Sequence, residues 1–461
     1  MNDGAMNDGA MKRIARRSLP LAILAAGWTA ATWVVWTSVV RGRALQRSTP
    51  EIFLGAAPLV GRNYRDGWDW RFGWTLVASA ALAAFVVVGC LRSWWPRLRL
   101  RWLLLGTAAA SMLFAVLLAL SDGTDGLLYP AEHRTEYLAN VGKTPPGLDY
   151  LHTFVHLVKV DHYSVHVRGH PPGYLGLLKV LDWIGIGGAW TTAMLSVLAT
   201  GITAIAVLLV VRVLAGRQWV DRIAPFLVVA PYLVWMVTSA DAVYTGLAAL
   251  GTAALAIGAI RRRWLSAGFG LAGGLLLGAV LFGTYLGAVF LIVPIAVIIG
   301  IALLRRRIPV AVVAGAIVGA IAVTLAFRAA GFWWFDGLAQ TKIEYHEGTA
   351  QFRPWSYFNI GNIGAALIAV GPAVVTGLCS LRDRRVWIAS GAAIAAIAAS
   401  HLSKYTKAEV ERIWLLFYPW VTIAAGSLFV GRTERARTGA IWVGVQAATA
   451  IVLQAALVSK W

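Results

Sequence analysis

The chain has 461 residues, of which 59% are hydrophobic and only 13% are charged, and its formal net charge is +20. Roughly one quarter of the residues of an ordinary soluble domain are charged. This composition therefore excludes an ordinary soluble protein and indicates one that is embedded in a lipid bilayer.

Apolar runs recur along the whole chain, and runs of about 18 residues or more are typical of transmembrane helices. The runs cover roughly residues 19–40, 74–91, 102–120, 186–211, 223–240, 243–260, 264–282, 286–304, 309–329, 360–380, 386–400, 413–430 and 439–457. They predict an all-α, polytopic transmembrane protein with about 13 transmembrane helices. The runs at 223–240 and 386–400 are the weakest of the set.

The positive charge is concentrated in short loops between the apolar runs. The basic clusters are Lys12/Arg13/Arg16/Arg17, Arg92/Arg97/Arg99/Arg101, Arg212/Arg217/Arg222, Arg261–Arg263, Arg305–Arg307, Arg382/Arg384/Arg385 and Arg432/Arg435/Arg437. All of them fall on one side of the predicted arrangement, which is then the cytoplasmic side by the positive-inside rule. The charge is a topology signal, so nucleic acid is not an expected partner. A cytoplasmic tail at 1–18 and an extracytoplasmic end at Trp461 follow.

The opposite side of the membrane carries the polar chemistry. It holds all eight histidines and all but five of the 21 acidic residues. Four outer segments carry most of them: 41–73, 121–185, 330–359 and 401–412. The inner loops lack a Gly-rich phosphate loop of the Walker type and are too short to form one. An enzyme that works outside needs a substrate that arrives already activated, and lipid-linked donors are such a class.

The longest outer loop, 121–185, contains the stretch "DHYSVHVRGHPPGYL". The spacing predicts a helix over 131–141, a helix over 148–159 lying along the membrane surface, and a helix that begins after "PPG" at 171–173. His162, His166 and His170 are spaced four residues apart, as zinc ligands on a helix could be, but Gly169 and Pro171 argue against a continuous helix. The other interpretations are interfacial histidines bonded to loop groups, or contacts to sugar hydroxyls or a phosphate.

Five strings follow one another along the outer face: "EYL" at Glu136–Leu138, "HVRGHPPG" at His166–Gly173, "SADA" at Ser239–Ala242, "RPWSYFNIGN" at Arg353–Asn362 and "KAEVERIW" at Lys407–Trp414. This ordered series resembles the GT-C superfamily of membrane glycosyltransferases, closest to its actinobacterial members, over roughly residues 100–450. The resemblance implies a transmembrane core at 102–461 with a catalytic outer loop at 121–185. Two additional transmembrane helices at 19–101, joined by outer loop 41–73, precede this core.

The resemblance also implies the reaction and its partners. The donor would be a polyprenyl-phosphate sugar, with mannose or arabinofuranose as candidate sugars, and the acceptor a cell-envelope glycan or glycolipid. In the superfamily a carboxylate of this loop acts as general base. The usual adjacent acidic pair is missing here, so the candidates are Glu136, Asp122, Glu132 and Asp125. Each could instead be a solvated loop charge or a helix cap.

The remaining candidates are substrate-binding residues. Asp241 ends an apolar run, where a carboxylate needs a partner or solvent; a helix N-cap shared with Ser239 is the alternative. Arg353 and Arg412 are the phosphate candidates, because a guanidinium binds phosphate through two donors. Glu409 and Glu411 could instead neutralise these cations. The full set of expected substrate-binding residues is His166, His170, Asp241, Tyr345, Arg353, Asn362, Lys407, Glu411 and Arg412.

No metal site is assigned, although a divalent cation remains open as a cofactor. Asp66 and Asp69, with Trp68 and Trp70, could stack a sugar, but interfacial aromatics with ion pairs explain that stretch as well. Two other functions stay open beside the glycosyltransferase: a transporter or flippase for lipid-linked sugars, and a non-catalytic envelope assembly protein of the same fold.

Overall fold

The computed structural model describes residues 3–49, 54–55, 70–429 and 434–457, with side chains described from residue 21 onward except at 434–436. Within these residues all regular structure is helical. Asp66, Trp68 and Asp69, which the sequence offers as a sugar-stacking group, lie outside the described residues. The all-α prediction is confirmed.

The helices of the first half of the chain include the long outer loop. They are α1 (Asp3–Ser48), α2 (Trp74–Leu91), α3 (Leu100–Ala119), α4 (Asp125–Glu132), α5 (Asp149–Lys159), α6 (Val165–Arg168), α7 (Gly173–Trp183), α8 (Ala189–Leu214), α9 (Arg217–Val228) and α10 (Ala240–Gly258).

The second half continues with α11 (Arg263–Gly283), α12 (Leu286–Phe290), α13 (Ile292–Arg305), α14 (Val310–Ala329), α15 (Trp334–Glu347), α16 (Trp355–Val370), α17 (Pro372–Ser380), α18 (Arg384–Leu402), α19 (Val410–Ile413), α20 (Tyr418–Thr422) and α21 (Glu434–Ala456). Short 3₁₀ turns at Leu138–Lys143, Pro231–Trp235 and Trp414–Leu416 connect several of them.

Ten helices among the described residues are long and apolar enough to cross a membrane. Two further pairs, Trp355–Val370 with Pro372–Ser380 and Val410–Leu416 with Tyr418–Phe429, are bent by 93° and 78°, and counting each as one span brings the number to 12. The lateral surfaces of the apolar helices expose large hydrophobic side chains such as Leu303 in α13 and Leu325 in α14. The chain is therefore a multi-pass membrane protein.

The helix expected over 223–240 is not continuous. α9 ends at Val228, and Pro231 begins a 3₁₀ turn, because a proline has no N–H to donate and disfavours helical backbone before it. Two hydrogen bonds nevertheless define the direction of α9 relative to α3. Arg217 donates to the carbonyl of Leu98 at 2.7 Å, and Ser111 in α3 donates to the carbonyl of Leu227 at 3.2 Å. α9 therefore runs alongside α3 in the same direction.

α8 and α10 also run parallel to each other. Near the start of α8, Ser196 donates to the carbonyl of Ser239 at 3.1 Å, and Gly246 packs against Ala199 one turn further along. The segment between these two helices therefore leads from one end of the bundle back to the other.

Glycines allow α11 and α14 to approach closely. Gly270, Gly274 and Gly278 recur every four residues in α11, and a Cβ at Gly274 would lie 2.1 Å from the carbonyl oxygen of Ala316 in α14. Small residues at this spacing are typical of helix interfaces within membranes, where close backbone contact replaces the hydrophobic effect.

Two ends of the bundle differ in chemistry. At one end, here called the basic end, Trp219 donates to Asp383 at 2.8 Å and Arg217 reaches the loop after Trp95, so three of the arginine-rich loops meet. The other end, here called the polar end, contains loop 121–185, which carries Glu136, and also Asp241 at the start of α10 and Arg412 in α19.

Local predictions in the long loop are partly correct. The helix expected over 148–159 forms as α5, and a helix does begin after "PPG", at Gly173. The helix expected over 131–141 is wrong, because α4, which contains Pro130, ends at Glu132 and a 3₁₀ turn follows from Leu138. The first residues of the expected outer segment, 41–48, continue α1, which ends at Ser48.

Candidate functional site

A buried ion pair joins the start of α10 to α19. The Nη1 of Arg412 donates to Oδ2 of Asp241 at 2.7 Å, and the two side chains are only 6% and 4% exposed. Asp241 lies in the first turn of α10, yet Ser239 at the N-cap makes no capping bond from its side chain. The capping alternative for Asp241 is therefore not what the structure shows: its carboxylate binds a guanidinium.

Glu409 extends this pair to a second arginine. Its Oε2 accepts from Nη2 of Arg412 at 2.8 Å, and its Oε1 accepts from Nη2 of Arg353 at 3.2 Å. Burial by itself raises the pKa of Glu409, but the nearby guanidinium groups of Arg412 and Arg353 outweigh it and lower that pKa to about 2. Glu409 is therefore a fixed negative charge at any physiological pH.

The backbone that carries Glu409 is strained. Lys404, Ala408 and Glu409 have φ angles of 63°, 77° and 56°, which non-glycine residues rarely adopt. Such residues cluster at functional sites, where the surrounding structure over-determines them. Asn362 holds this segment by donating to the carbonyl of Thr406 at 2.6 Å and accepting from the amide of Ala408 at 3.2 Å.

Arg353 and Tyr345 brace the same segment. Arg353 donates to the carbonyl of Lys407 at 3.1 Å, and the hydroxyl of Tyr345 donates to the carbonyl of Lys404 at 2.8 Å. Lys407 itself donates to the carbonyl of Ala350 at 2.9 Å. These expected substrate-binding residues therefore position a loop in this structure.

Glu136 reaches the same cluster from the long loop. Its Oε1 lies 2.5 Å from Nδ1 of His166, and Nε2 of His166 lies 3.3 Å from Nη2 of Arg412. An arginine can only donate, so Nε2 accepts and the ring proton lies on Nδ1, facing Glu136. We call the connected set Glu136, His166, Asp241, Arg353, Glu409 and Arg412 the buried ion network.

Burial raises the pKa of Glu136, but the opposing effect of His166 and that of Arg412 are together larger, so its net pKa is lower than the ordinary value. The carboxylate is thus ionised at neutral pH. Both nitrogens of His166 contact protein groups, so this ring links Glu136 to Arg412 and does not present a free donor to substrate.

A second contact fixes Glu136 relative to His166. Asn140 donates to the carbonyl of Glu136 at 2.6 Å and accepts from the amide of Ser164 at 2.9 Å. The hydroxyl of Ser164 donates to the carbonyl of Thr135 at 2.8 Å. The turn that carries Glu136 and the short helix that carries His166 are therefore tied together through their backbones.

His170 lies beside this pair, against the rings of Tyr137 and Tyr244 at 5.9 and 6.3 Å between centroids. Burial lowers its pKa, so the ring is neutral, and its Nδ1 donates to the carbonyl of His166 at 2.8 Å. The remaining nitrogen, Nε2, then carries no proton and can only accept a hydrogen bond. Sequence reasoning expected His170 to donate to hydroxyl or phosphate oxygens, and this tautomer assigns it the opposite role.

The two glycines around "HPPG" differ. A Cβ at Gly173 would lie 2.3 Å from the carbonyl oxygen of Phe282, so a close backbone approach requires glycine there. At Gly169 the nearest atoms are 3.5 Å away, which is ordinary contact. A close backbone approach therefore occurs at Gly173 and not at Gly169.

A small cleft with a cavity volume of about 20 Å³, partly open to the outside, lies on the other side of Glu136. It runs between α4, α7 and the beginnings of α8 and α10. Its lining residues are Leu127, Pro130, Ala131, Glu136, Tyr137, Leu138, Tyr174, Thr192, Ala193, Ser196, Val237, Thr238, Ser239 and Ala240. Glu136 thus stands between the buried ion network and an accessible space.

The other three base candidates lie elsewhere. Asp125 and Glu132 are exposed on α4. Asp122 forms an ion pair with Arg71 and accepts from Gln454 at 3.2 Å. Arg71 also donates to the carbonyl of Leu457 at 2.7 Å, so the cluster Asp122, Arg71 and Gln454, here called the Asp122 latch, ties the end of α21 to the loop before α2.

The remaining candidates are also located. Glu411 is fully buried in α19. His162 donates from Nε2 to the carbonyl of Lys143 at 2.9 Å at an exposed position, so it does not join His166 and His170. In the part of the chain that the structure describes, no group of three or more His, Cys, Asp or Glu side chains is arranged to hold a metal ion.

Sequence reasoning missed several contributors. It treated Glu409 only as a possible neutralising charge, and it overlooked Asn140 and Ser164. Only the string "KAEVERIW" pointed toward Glu409, and nothing in the spacing singled out Asn140 or Ser164, because their role is to hold backbone groups.

Comparisons with known proteins add no assignment: no family model, no curated protein and no solved structure matches this chain.

Proposed function

We propose that this chain is a membrane glycosyltransferase that transfers a sugar from a polyprenyl-phosphate donor to a cell-envelope glycan or glycolipid. The observation that supports it most is the position of Glu136. It is an ionised carboxylate that lines a cleft at the polar end while the buried ion network holds it from behind. A general base needs this combination of ionisation, fixed orientation and access to substrate.

In the proposed step Glu136 takes the proton of the acceptor hydroxyl. The acceptor oxygen forms a bond to the anomeric carbon of the donor sugar, and the bond from that carbon to the phosphate oxygen breaks. Polyprenyl phosphate leaves with the bonding electron pair, and the anomeric configuration inverts. The proton on Glu136 is then released to solvent through the cleft.

Arg353 and Arg412 were expected to bind the donor phosphate directly. In this structure both guanidinium groups contact Glu409, and Arg412 also contacts Asp241. Their role in the proposal is therefore to hold Glu409 and, through His166, to keep Glu136 ionised and oriented. A direct phosphate contact would require these pairs to rearrange when the donor binds.

The topology in this proposal has 13 crossings, with the basic end cytoplasmic and the polar end extracytoplasmic. The parallel course of α8 and α10 supports it, because the broken segment between them must cross to join them. Arg262→Cys and His346→Cys test it. A membrane-impermeant thiol reagent applied from outside should label position 346 and not 262, and the reverse result would invert the map.

Purified protein, incubated with a panel of radiolabelled polyprenyl-phosphate sugars and envelope glycolipids, tests the reaction itself. We expect transfer of label to a glycolipid by the wild type and its loss in Glu136→Gln. Transport of the labelled lipid across vesicles without transfer would favour a flippase. The absence of both transfer and transport would favour a non-catalytic assembly role.

A further inference from the structure

Gly55, in outer loop 41–73, lies against the buried ion network. Its carbonyl accepts from the amide of Glu409 at 2.8 Å, and the preceding residue, Leu54, is only 1% exposed. The sequence assigns this loop to the two additional helices that precede the expected core. One of its backbone groups nevertheless holds a member of the site.

The helix before this loop is fixed to the same region. The Nη2 of Arg41, in α1, donates to the carbonyl of Ser356 at 3.0 Å. Ser356 lies in the first turn of α16, the helix that also carries Asn362, whose side chain holds the strained segment at 404–409. α1 therefore contacts the helix that supports this segment, and Gly55 contacts the segment itself.

The position of Gly55 requires glycine for two reasons. Its φ angle is 63°, in the left-handed region that other residues rarely adopt. A Cβ at this position would lie 2.6 Å from Nη2 of Arg353 and 3.2 Å from the Cβ of Ala408. Nη2 is the atom through which Arg353 donates to Oε1 of Glu409 at 3.2 Å. Because a guanidinium is the flexible end of its side chain, one methyl group at position 55 would push it away from Glu409.

We infer that Gly55 is a positioning residue of the site. It leaves the space in which Nη2 of Arg353 reaches Glu409, and its carbonyl holds the backbone of Glu409. Glu409 in turn fixes Arg412, the centre of the network that orients Glu136. The effect of Gly55 on turnover rests on the proposed function, whereas its coupling to Arg353 does not depend on it.

Thermal unfolding in detergent tests this coupling without turnover. Gly147→Ala is the matched control for Gly55→Ala, because Gly147 also has a positive φ, 54°, and a Cβ there would meet no described atom within 4 Å. Gly147→Ala should lower the Tm by about 2–4 °C, the effect of one alanine in the left-handed region. Gly55→Ala should lower it by about twice as much or more, because it also separates Arg353 from a buried carboxylate.

A double variant shows whether the loss passes through the guanidinium. Arg353→Met keeps the apolar stem and removes the atoms that the new methyl group would meet. In that background, Gly55→Ala should lower the Tm no more than Gly147→Ala does, because only the backbone strain remains. An equal additional loss in both backgrounds would overturn the inference, because Gly55 would then act independently of Arg353.

Kinetics test the positioning role once transfer to a glycolipid is measured, and they do not need the Arg353→Met background. Gly55→Ala should lower kcat about 10- to 100-fold, the effect of a misplaced catalytic geometry, with both KM values within about twofold of the wild type. Gly147→Ala should keep all three values within about twofold. A higher KM with an unchanged kcat in Gly55→Ala would contradict the assignment, because Gly55 would then contact substrate.

Two results distinguish the failure of this role from the failure of the proposed reaction. If the wild type transfers no sugar while Arg353→Met suppresses the effect of Gly55→Ala on the Tm, the reaction fails and Gly55 still fixes the network. If transfer is observed and the two glycine variants have equal Tm and kcat values, the reaction stands and Gly55 has no positioning role.

Discussion

Two clusters at the polar end each join a loop carboxylate to an arginine, and they differ in every other respect. In the buried ion network, Glu136 reaches Arg412 through His166, and Asp241 and Glu409 share the same guanidinium. In the Asp122 latch, Arg71 divides its donors between Asp122 and the carbonyls that end α21. The first cluster borders a cleft, and the second closes a helix end.

An acidic residue in the expected loop, even one paired with an arginine, is therefore not enough to indicate a catalytic base. Asp122 is 25% exposed and serves a helix terminus, whose carbonyls otherwise lack donors. Glu136 is held by side chains from distant segments and still lines an accessible space. Access and fixed orientation together, rather than charge, separate the two.

The largest effect should come from removing the centre of the buried ion network. Arg412→Met leaves Asp241 and Glu409 without their shared partner and should lower the free energy of unfolding by about 3–5 kcal/mol. Asp241→Asn should lower the free energy of unfolding by less, about 1–3 kcal/mol, because Arg412 keeps its ion pair with Glu409. Thermal unfolding in detergent measures both. Equal losses in the two variants would mean that Arg412 is not the shared centre.

The next effect concerns turnover. Glu136→Gln keeps the size of the side chain and removes the proposed base, so the proposed sugar transfer should fall about 100-fold or more. Asp122→Asn should change turnover by less than about threefold, because the Asp122 latch does not line the cleft beside Glu136. Initial rates of labelled glycolipid formation measure turnover in both variants, and gel filtration checks that each variant is folded. A greater loss in Asp122→Asn would reverse the comparison.

The pH dependence sharpens the contrast further. The pKa of Glu136 is below its ordinary value of 4.5, so the base stays ionised above that pH and transfer should fall only as the pH drops below it. His166→Phe removes a group that lowers this pKa, while burial still raises it, so the acid limb of the pH–rate profile should move to higher pH. Asp122→Asn should leave the limb in place. If the acid limb stayed in place in His166→Phe, His166 would not be a group that lowers the pKa of Glu136.

The smallest effect should be the stability of the latch. Asp122 and Arg71 are both partly exposed, so Asp122→Asn should change the free energy of unfolding by about 1 kcal/mol or less. Arg71→Met should cost more, because it also removes the donors to the carbonyls of Gln454 and Leu457. Denaturation in mixed micelles compares them. A larger loss in Asp122→Asn than in Arg71→Met would show that the ion pair, not the capping, holds the latch.

Sequence reasoning located much of the site without its roles. Arg412, Asp241, Glu136 and His166 were each proposed from motifs, and the structure brings them together. Tyr345, Asn362 and Lys407 were expected at the substrate. Tyr345 and Asn362 instead donate to backbone carbonyls of the strained segment at 404–409, and Lys407 donates from that segment to the carbonyl of Ala350. The residue types are compatible with either role, so only their partners could distinguish them.

The multi-pass helical fold and the clustering of arginines in short loops can both be read from the sequence alone. Both are local features of the sequence. A bilayer requires long apolar helices, and the arginine clusters lie in short stretches between consecutive apolar runs. Breaks inside a span were harder to predict, as at Val228, where the surrounding run stays apolar through Pro231.

Which loop carboxylate joins the buried ion network depends on the tertiary structure. His166 and Arg412 are 246 positions apart in the chain, and Asp241 and Arg412 are 171 apart, so no local pattern could pair them. The choice between Glu136 and Asp122 depended on packing of α10, α19 and the turn after α4 around one buried guanidinium. A charge buried in a membrane protein must find its partners wherever the fold brings them, and that requirement acts through space rather than along the sequence.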